Sequence, residues 1–195
     1  MKAKLLVILM ICFVAISCKN NSKSQTVAED PAATATETVA TNDDRGYIVK
    51  VGDIAPDFDI EYTDGKIVKL SDLKGKLVIL QFTASWCGVC RQEMPHIESE
   101  IWLKHKDNPN FAFIGIDLKE DKETTDKFAA DMKVTYPITL DVTGAKFELF
   151  AEKGAGVTRN IVIDKDGKII MLTRLYDEAE FASMVALIDD YMAKI

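Results

Sequence analysis

The sequence has few histidines and no surplus of positive charge. Only His96 and His105 occur among its 195 residues, which limits any metal or acid–base site built on imidazoles. Acidic residues outnumber basic residues by 31 to 24, and the formal net charge is −7 at pH 7. A chain without a cationic surplus cannot neutralise many phosphates, so nucleic acid is not expected as a partner.

Cysteine is also sparse, and its four copies fall into two groups. Cys12 and Cys18 lie in an apolar N-terminal segment, whereas Cys87 and Cys90 form a single Cys-x-x-Cys motif. The apolar run at residues 5–16 is too short to span a bilayer as a stable anchor. Hydrophobic residues nevertheless make up 48% of the chain, which is enough for the packed core of one domain.

The first eighteen residues have the pattern of an export signal. Lys2 and Lys4 precede the apolar run, which ends in Ala-Ile-Ser directly before Cys18. This ending resembles a bacterial lipobox, although Ala15 stands where leucine is usual. We therefore expect residues 1–17 to be a signal peptide and Cys18 to be lipidated, the alternative being an ordinary signal with an incidental cysteine. Such a lipid would anchor the protein to a membrane without spanning it.

The segment after Cys18 contains almost no large apolar side chain. Residues 18–46 are therefore predicted to be a disordered tether, because they cannot bury enough surface to offset the entropy of ordering. The first residues of the tether carry no acidic cluster of the kind that resembles a surface-export signal, which favours a location facing the periplasm. Residues 47–195 are predicted to form the folded domain.

The folded domain shows alternating strand and helix patterns. Two apolar-alternating stretches, 58–62 and 66–70, flank Asp64-Gly65 and predict a β-hairpin. The near-continuous apolar run at 76–83 predicts a strand buried on both faces of a sheet. The other predicted elements are a helix from the cysteine motif to about residue 106, a strand at 111–118, a helix at 120–132, a strand at 138–141, a short helix at 145–151, a second hairpin made of 160–164 and 168–173, and a closing helix at 177–193. This order predicts an α/β three-layer fold with a central mixed sheet and an N-terminal hairpin extension.

The Cys-x-x-Cys motif lies between the buried strand and a helix. A thiol at that position faces unpaired backbone N–H groups and the positive end of the helix dipole, and both favour the thiolate. Cys87 is therefore the candidate nucleophile, and Cys90, one turn later, is placed to resolve a mixed disulfide. Trp86 is expected to shield one side of the pair, Gly88 to let the loop fold tightly, and Val89 to fill the second inner position.

Two other interpretations of the motif are weaker. Half a zinc site would need His96 and His105 as further ligands, and their spacing from the cysteines fits no usual zinc module, so no metal is expected. A purely structural disulfide is possible, but a bridge that closes a two-residue loop stabilises a fold little.

Three segments, VGDIAPDF, LSDLKGKLVILQFTASWCGVCRQEMP and NIVIDKDGKI, resemble the TlpA/ResA-like branch of the thioredoxin superfamily, which is related to the AhpC/TSA and Redoxin proteins. The similarity runs over residues 51–195. It implies a thioredoxin-like fold, with Cys87 as nucleophile, Cys90 as resolving thiol and no cofactor beyond their redox-active disulfide. Pro95, inside the following helix, also matches the family.

The same resemblance draws attention to Glu93, three residues after Cys90. ResA-like proteins carry a glutamate there that tunes the titration of the thiols, which makes Glu93 the third candidate catalytic residue. A solvated helix charge is an equally good interpretation. Thioredoxins also have a buried aspartate six residues before the first cysteine, where this chain has Gln81. If Gln81 is buried, Glu93 becomes the better candidate for proton transfer.

A second departure from the family concerns the substrate groove, for which Trp86, Gly88, Val89, Val157, Thr158 and Arg159 are the candidate residues. The family usually has a cis-proline facing the disulfide, and this chain has Thr158 there. A non-proline cis bond costs about 3 kcal/mol, so the bond from Val157 is expected to be trans. Thr158 could instead offer a hydroxyl hydrogen bond. Arg159 is interpreted as a surface loop cation in preference to a group near the thiolate.

Two other functions fit the sequence less well. Peroxidases of the AhpC/TSA type need a Pro-x-x-x-Thr-x-x-Cys frame, and the corresponding positions here are Leu80 and Ala84. Copper carriers of the SCO type use Cys-x-x-x-Cys and a distant histidine, whereas this chain has one residue fewer between its thiols and no histidine after His105.

The resemblance therefore implies a membrane-anchored periplasmic thiol-disulfide oxidoreductase that acts as a reductase. Its expected partners are disulfide-containing protein substrates and a membrane thiol electron donor, and several similar proteins serve cytochrome c maturation. The Gly-Val dipeptide between the cysteines has no strongly thiolate-stabilising feature, which also favours a reducing protein.

Overall fold

The computed structural model of the protein describes residues 45–62 and 65–195. The predicted signal peptide, the lipidation site Cys18, nearly all of the tether and the turn residues Thr63 and Asp64 lie outside the described residues. Within the described ranges, none of the helices combines the length and the apolar character needed to cross a bilayer.

Seven strands and four α-helices make up the described part of the domain. The strands are β1 (Asp59–Glu61), β2 (Ile67–Lys69), β3 (Leu77–Thr83), β4 (Phe111–Leu118), β5 (Ile138–Asp141), β6 (Arg159–Ile163) and β7 (Ile169–Arg174), and the helices are α1 (Gly88–Ile97), α2 (Leu103–His105), α3 (Lys122–Met132) and α4 (Glu178–Met192). Short 3₁₀ turns cover Leu70–Leu73 and Phe147–Leu149. The expected helix at 145–151 is thus only the second of these turns.

The central sheet is mixed, as the sequence predicts. Its strand order is β5-β4-β3-β6-β7, with β3 parallel to β4 and antiparallel to β6. All seven residues of β3 are buried, since helices and loops cover the strand on both faces. The separate β1–β2 pair is antiparallel and confirms the predicted N-terminal hairpin.

The helix after the cysteine motif is not uniform. Helix α1 ends at Ile97, a π-helical turn spans Glu98–Trp102, and α2 then continues to His105. Pro95 lies within α1 and has no N–H to donate, so the regular pattern of helical bonds cannot continue unbroken past it. The predicted helix therefore has the expected extent but contains a wider turn.

The closing helix begins as the sequence predicts. The Asp177 side chain accepts hydrogen bonds from the backbone N–H groups of Ala179 and Glu180. The Glu180 side chain, at the third helical position, binds outside the helix. It accepts from the backbone N–H of Arg174 at 3.2 Å and from Nη1 of Arg45 at 2.6 Å, which ties the start of α4 to the end of β7.

Arg159 corrects one expectation. The sequence favoured a surface loop cation, but Arg159 is fully buried in the face of the sheet opposite α1. Its guanidinium lies 4.3 Å from the ring centre of Tyr47 and 5.8 Å from that of Phe147. It also donates to the carbonyl oxygens of Gly156 at 3.1 Å and Arg45 at 2.7 Å. The expectation is wrong because ring stacking and two carbonyl bonds offset part of the cost of burying the cation, while its Nη1 has no hydrogen-bond partner among the described residues.

Candidate active site

The site is built around the junction between β3 and α1. Cys87 is the N-cap residue of α1, with an extended backbone, and its Sγ accepts a hydrogen bond from the backbone N–H of Cys90 at 3.1 Å. The sulfur thus occupies the place that a serine or aspartate oxygen takes in an ordinary helix cap. An N–H donor and the helix dipole both lower the energy of a thiolate there.

Cys87 and Cys90 are joined by a disulfide. Cys90 is fully buried, whereas Cys87 is 7% exposed, so Cys87 is the more accessible residue of the pair. This difference in access agrees with the order of attack that the sequence analysis assigns to the two thiols.

Thr158 lies against both sulfurs. Its Oγ1 is 3.2 Å from Sγ of Cys87 and 3.3 Å from Sγ of Cys90. In the disulfide state the hydroxyl is the donor, since neither sulfur carries a proton. The structure therefore places a hydroxyl next to both sulfurs, at the position where the sequence resemblance leads us to expect a proline.

The other predicted groove residues differ in position. Trp86 is 65% exposed and Gly88 is also exposed, while Val89 is half-buried and Val157 is buried. Arg159 makes its hydrogen bonds away from the sulfurs, as described above. Sequence reasoning missed Leu175, which is exposed and donates its backbone N–H to the Thr158 carbonyl at 3.1 Å. Leu175 has a φ of 66°, an uncommon conformation for a residue with a side chain.

Glu93 is buried, which decides between its two interpretations. Its side chain is 1% exposed and lies one turn after Cys90 on the buried side of α1. Asn160 Nδ2 donates to its Oε1 at 2.6 Å, and Gln81 Nε2 donates to its Oε2 at 3.4 Å. Gln81 and Asn160 face each other across β3 and β6, so the carboxyl of Glu93 joins the thiol-bearing helix to two central strands.

The amides that hold Glu93 have further partners. Gln81 Oε1 accepts from the Tyr136 hydroxyl at 2.8 Å, and Asn160 Nδ2 also donates to Thr173 Oγ1 at 2.9 Å. The resulting chain of polar side chains is buried throughout. Tyr136, Asn160 and Thr173 could not be found from the sequence, because nothing local to them marks a shared partner far away in the chain.

The position of Glu93 changes its titration. Burial raises the pKa of Glu93 to about 7, against the opposing effect of the hydrogen bonds from Asn160 and Gln81. A carboxyl with a pKa in this range exchanges a proton near neutral pH. Gln81 is fully buried and cannot titrate, so of these two side chains only Glu93 has a proton to exchange.

Two further carboxyls, those of Glu120 and Asp117, lie near the cysteine loop. Glu120 accepts from the backbone N–H of Ser85 at 2.6 Å and from its hydroxyl at 2.5 Å, which fixes the loop two residues before Cys87. Asp117 is fully buried nearby, beside Glu120 and Thr125. Burial, reinforced by Glu120, raises the pKa of Asp117 to about 8. Asp117 is therefore mostly neutral at pH 7.

The two histidines lie elsewhere. His96 pairs with Glu100 at 2.9 Å, and His105 pairs with Asp189 at 2.8 Å. No group of three histidine, cysteine, aspartate or glutamate side chains among the described residues is arranged to hold a metal ion. The geometry of the cysteine pair fits two-electron exchange between a dithiol and a disulfide.

Comparison with known proteins agrees with this geometry. The AhpC/TSA family matches residues 51–171. The thiol-disulfide oxidoreductase ResA of Bacillus thuringiensis subsp. konkukian is 32% identical over 132 residues, which are 65% of this chain and 73% of the relative. ResA of Oceanobacillus iheyensis is 33% identical over 116 residues, 57% of this chain and 59% of the relative.

Two solved structures are similar. One is a solution structure of a candidate protein disulfide isomerase from Bacteroides thetaiotaomicron, with 59% identity and a TM-score of 0.73 over 75% of this chain and 92% of that chain. The other is a crystal structure of a candidate thiol:disulfide interchange protein DsbE from Chlorobium tepidum, with 30% identity and a TM-score of 0.61 over 71% of this chain and 96% of that chain. Both support the thioredoxin-like fold expected from the sequence.

The raised pKa of Glu93 predicts a pH-dependent difference in stability. A buried carboxyl whose folded pKa lies above its unfolded value stabilises the fold fully below about pH 4.5 and less as the pH rises through about 7. Glu93→Gln removes this titration. From pH 4.5 to 8, we expect the free energy of unfolding of the variant to gain about 3 kcal/mol relative to the unmodified protein. Urea unfolding of the disulfide form at several pH values measures this gain.

The matched control is Glu123→Gln, which removes an exposed carboxylate from α3. Its difference from the unmodified protein is expected to stay within about 0.5 kcal/mol across the same range. Titration of Asp117 occurs in all three proteins and cancels in the comparison. A flat difference for Glu93→Gln would show that Glu93 does not titrate near neutral pH.

Proposed function

Because this chain belongs to the AhpC/TSA family and carries a cysteine pair at a helix N-terminus, we propose that it is a thiol-disulfide oxidoreductase that reduces protein disulfides. The observation that carries the proposal is the Sγ of Cys87, which belongs to the more accessible residue of the pair and is held by the backbone N–H of Cys90. The ResA and DsbE relatives, named for the same chemistry, support it.

The reaction consists of two exchanges. In the reduced protein, the Cys87 thiolate attacks one sulfur of the substrate disulfide, and the S–S bond of the substrate breaks to release one substrate thiolate. The Cys90 thiol then loses its proton and attacks the Cys87 sulfur. This step breaks the mixed disulfide, releases the second substrate thiolate and leaves the Cys87–Cys90 disulfide. Two electrons have passed from the protein to the substrate.

Glu93 is the proposed acceptor of the Cys90 proton. Both residues lie on the buried side of α1, one turn apart, where water cannot readily reach the thiol. The pKa of about 7 lets the carboxylate accept a proton when the disulfide forms and return it when a donor reduces the protein. The Thr158 hydroxyl contacts the Sγ atoms of both cysteines and orients them.

The positions that a peroxidase would need also favour disulfide exchange. Leu80 and Ala84, which stand where the peroxidatic frame has proline and threonine, are fully buried apolar residues. Ala84 offers no hydroxyl to polarise a peroxide, so no residue of that frame except the cysteine is present.

We also propose where the protein is located and which partners it has. The signal pattern at residues 1–17 and the cysteine that follows it support a lipid on Cys18 and a periplasmic domain on a tether. A membrane thiol donor would return the disulfide to the dithiol, and substrates would be proteins with accessible disulfides. A role in cytochrome c maturation is the specific pathway that the TlpA/ResA resemblance suggests.

Substitution of each cysteine tests the order of attack. Cys87→Ser is expected to abolish reduction of a protein disulfide such as that of insulin, because the other residue of the pair, Cys90, is fully buried. Cys90→Ser is expected to accumulate a mixed disulfide, because the resolving thiol is missing. Non-reducing gels and mass spectrometry measure both outcomes. The double variant is the control and should trap nothing, whereas full activity of Cys87→Ser would contradict the assignment.

The reduction potential tests the direction of electron flow. A reductase is expected to have a potential near that of thioredoxin, about −270 mV, measured by equilibration with glutathione or dithiothreitol buffers. A value near −120 mV, which is typical of a dedicated oxidant, would show that the protein forms disulfides in its substrates.

The lipid anchor is tested by metabolic labelling with an alkyne fatty acid in a bacterial host that processes lipoproteins. The unmodified protein is expected to take up the label and to sediment with membranes. Cys18→Ala should lose the label, whereas Cys12→Ala is the matched control and should keep it, since Cys12 lies inside the predicted signal. Labelling of Cys18→Ala would rule out Cys18 as the acylated residue.

A further inference from the structure

Arg174 lies over the loop that touches the disulfide. It is the last residue of β7, and its Nη1 donates to the carbonyl oxygen of Thr158 at 3.3 Å. A Cβ placed on Gly156 would lie only 1.9 Å from Nη2 of Arg174, so the guanidinium rests directly on this glycine. The charge is therefore held next to the residue whose hydroxyl contacts both sulfurs.

This guanidinium has no carboxylate partner within residues 45–62 and 65–195. The nearby Glu180 carboxylate is already bound by Nη1 of Arg45 and by the backbone N–H of Arg174, not by its side chain. Burial and the neighbouring Arg159 lower the pKa of Arg174, yet an arginine stays protonated at all physiological pH values. Arg174 thus presents a half-buried positive charge without a counter-ion from this part of the chain.

A second arginine near the cysteine loop differs from Arg174 in packing on an aromatic ring. Arg91 donates through Nε to the carbonyl oxygen of Ser85 at 2.9 Å, and its guanidinium lies 5.0 Å from the ring centre of Phe128. Arg174 is therefore the better placed of the two to receive an anion from outside.

Exposed apolar side chains next to Arg174 and next to Cys87 in the sequence are of the kind that contact a bound peptide. Trp86 and Leu175 are large apolar side chains that are 65% and 48% exposed. The Leu175 backbone N–H binds the same Thr158 carbonyl as Arg174, so an apolar side chain and a cation flank one loop. Because Thr158 Oγ1 lies 3.2 Å from the Cys87 Sγ, a segment whose cysteine reaches Cys87 comes close to the loop that these groups flank.

We propose that Arg174 is a subsite for a substrate carboxylate, so that the protein prefers disulfides with aspartate or glutamate close to the attacked cysteine. The inference rests on the proposed function and names its substrate class. The chain as a whole is acidic, with a formal net charge of −7, and would repel such segments elsewhere on its surface. A single cation beside the thiols gives an acidic segment a favourable place to bind there.

The test uses three disulfide peptides that differ only in having glutamate, glutamine or lysine next to the reactive cysteine. The rate constants for their reduction by the reduced protein are measured at low salt. We expect the unmodified protein to favour the glutamate peptide over the lysine peptide by about five- to tenfold, the size expected for one partly screened charge pair. Arg174→Gln should reduce this ratio below about twofold, and 0.3 M salt should shrink it in the unmodified protein.

Lys168→Gln is the matched control. It also removes one positive charge, but from an exposed position just before β7, at the opposite end of that strand. Its ratio should equal that of the unmodified protein, which separates a local contact from the change in net charge.

Two results would overturn the subsite alone. One is an unchanged ratio in Arg174→Gln. The other is an equal slowing of all three peptides together with a raised pKa of the Cys87 thiol, measured by alkylation rates, which would mean that Arg174 acts on the thiolate. If the protein exchanges with none of the peptides in either redox direction, the proposed function itself fails. That outcome is distinct from exchange without a preference for charge.

Discussion

The burial of one carboxyl connects the parts of this site. Glu93 comes from the helix that carries the thiols, and its two oxygens are held by Gln81 from β3 and Asn160 from β6. The carboxyl therefore fixes the position of α1 on the sheet and sets the local charge. Burial raises the pKa of Glu93 to about 7 while the amide hydrogen bonds stabilise the anion, so both protonation states are accessible near neutral pH.

The opposite side of the disulfide depends on a different set of contacts. Thr158 touches both sulfurs. Arg159 donates to the carbonyl of Gly156 in the preceding loop, and Arg174 donates to the carbonyl of Thr158 itself. Arg159 also donates to the carbonyl of Arg45. The first described residues of the domain are thereby bonded to the segment around Thr158. Two arginines thus support a loop in which Thr158 stands where the sequence resemblance leads us to expect a proline.

Much of the fold could be predicted because it rests on local patterns. The apolar run that became β3 and the cap at Asp177 are readable without knowledge of distant contacts. The site was only partly predictable, because a charge in a helix looks the same in sequence whether it is buried or solvated. Glu93 is buried by partners from two distant strands, and Arg159 is buried by Tyr47, more than one hundred residues earlier in the chain. Pairing of this kind leaves no periodic signal.

The two departures from the thioredoxin pattern have opposite effects on the equilibrium between the dithiol and the disulfide of Cys87 and Cys90. Threonine in place of proline brings a hydroxyl to the sulfurs, and Thr158 can donate to the Cys87 thiolate and stabilise the reduced form. Glutamine in place of the strand aspartate moves the titrating carboxyl onto α1, at Glu93. An ionised Glu93 beneath the thiols raises the energy of a nearby thiolate and favours the disulfide, which makes the dithiol the stronger electron donor. On the proposed mechanism, the reducing power therefore changes as the pH passes about 7, where Glu93 ionises.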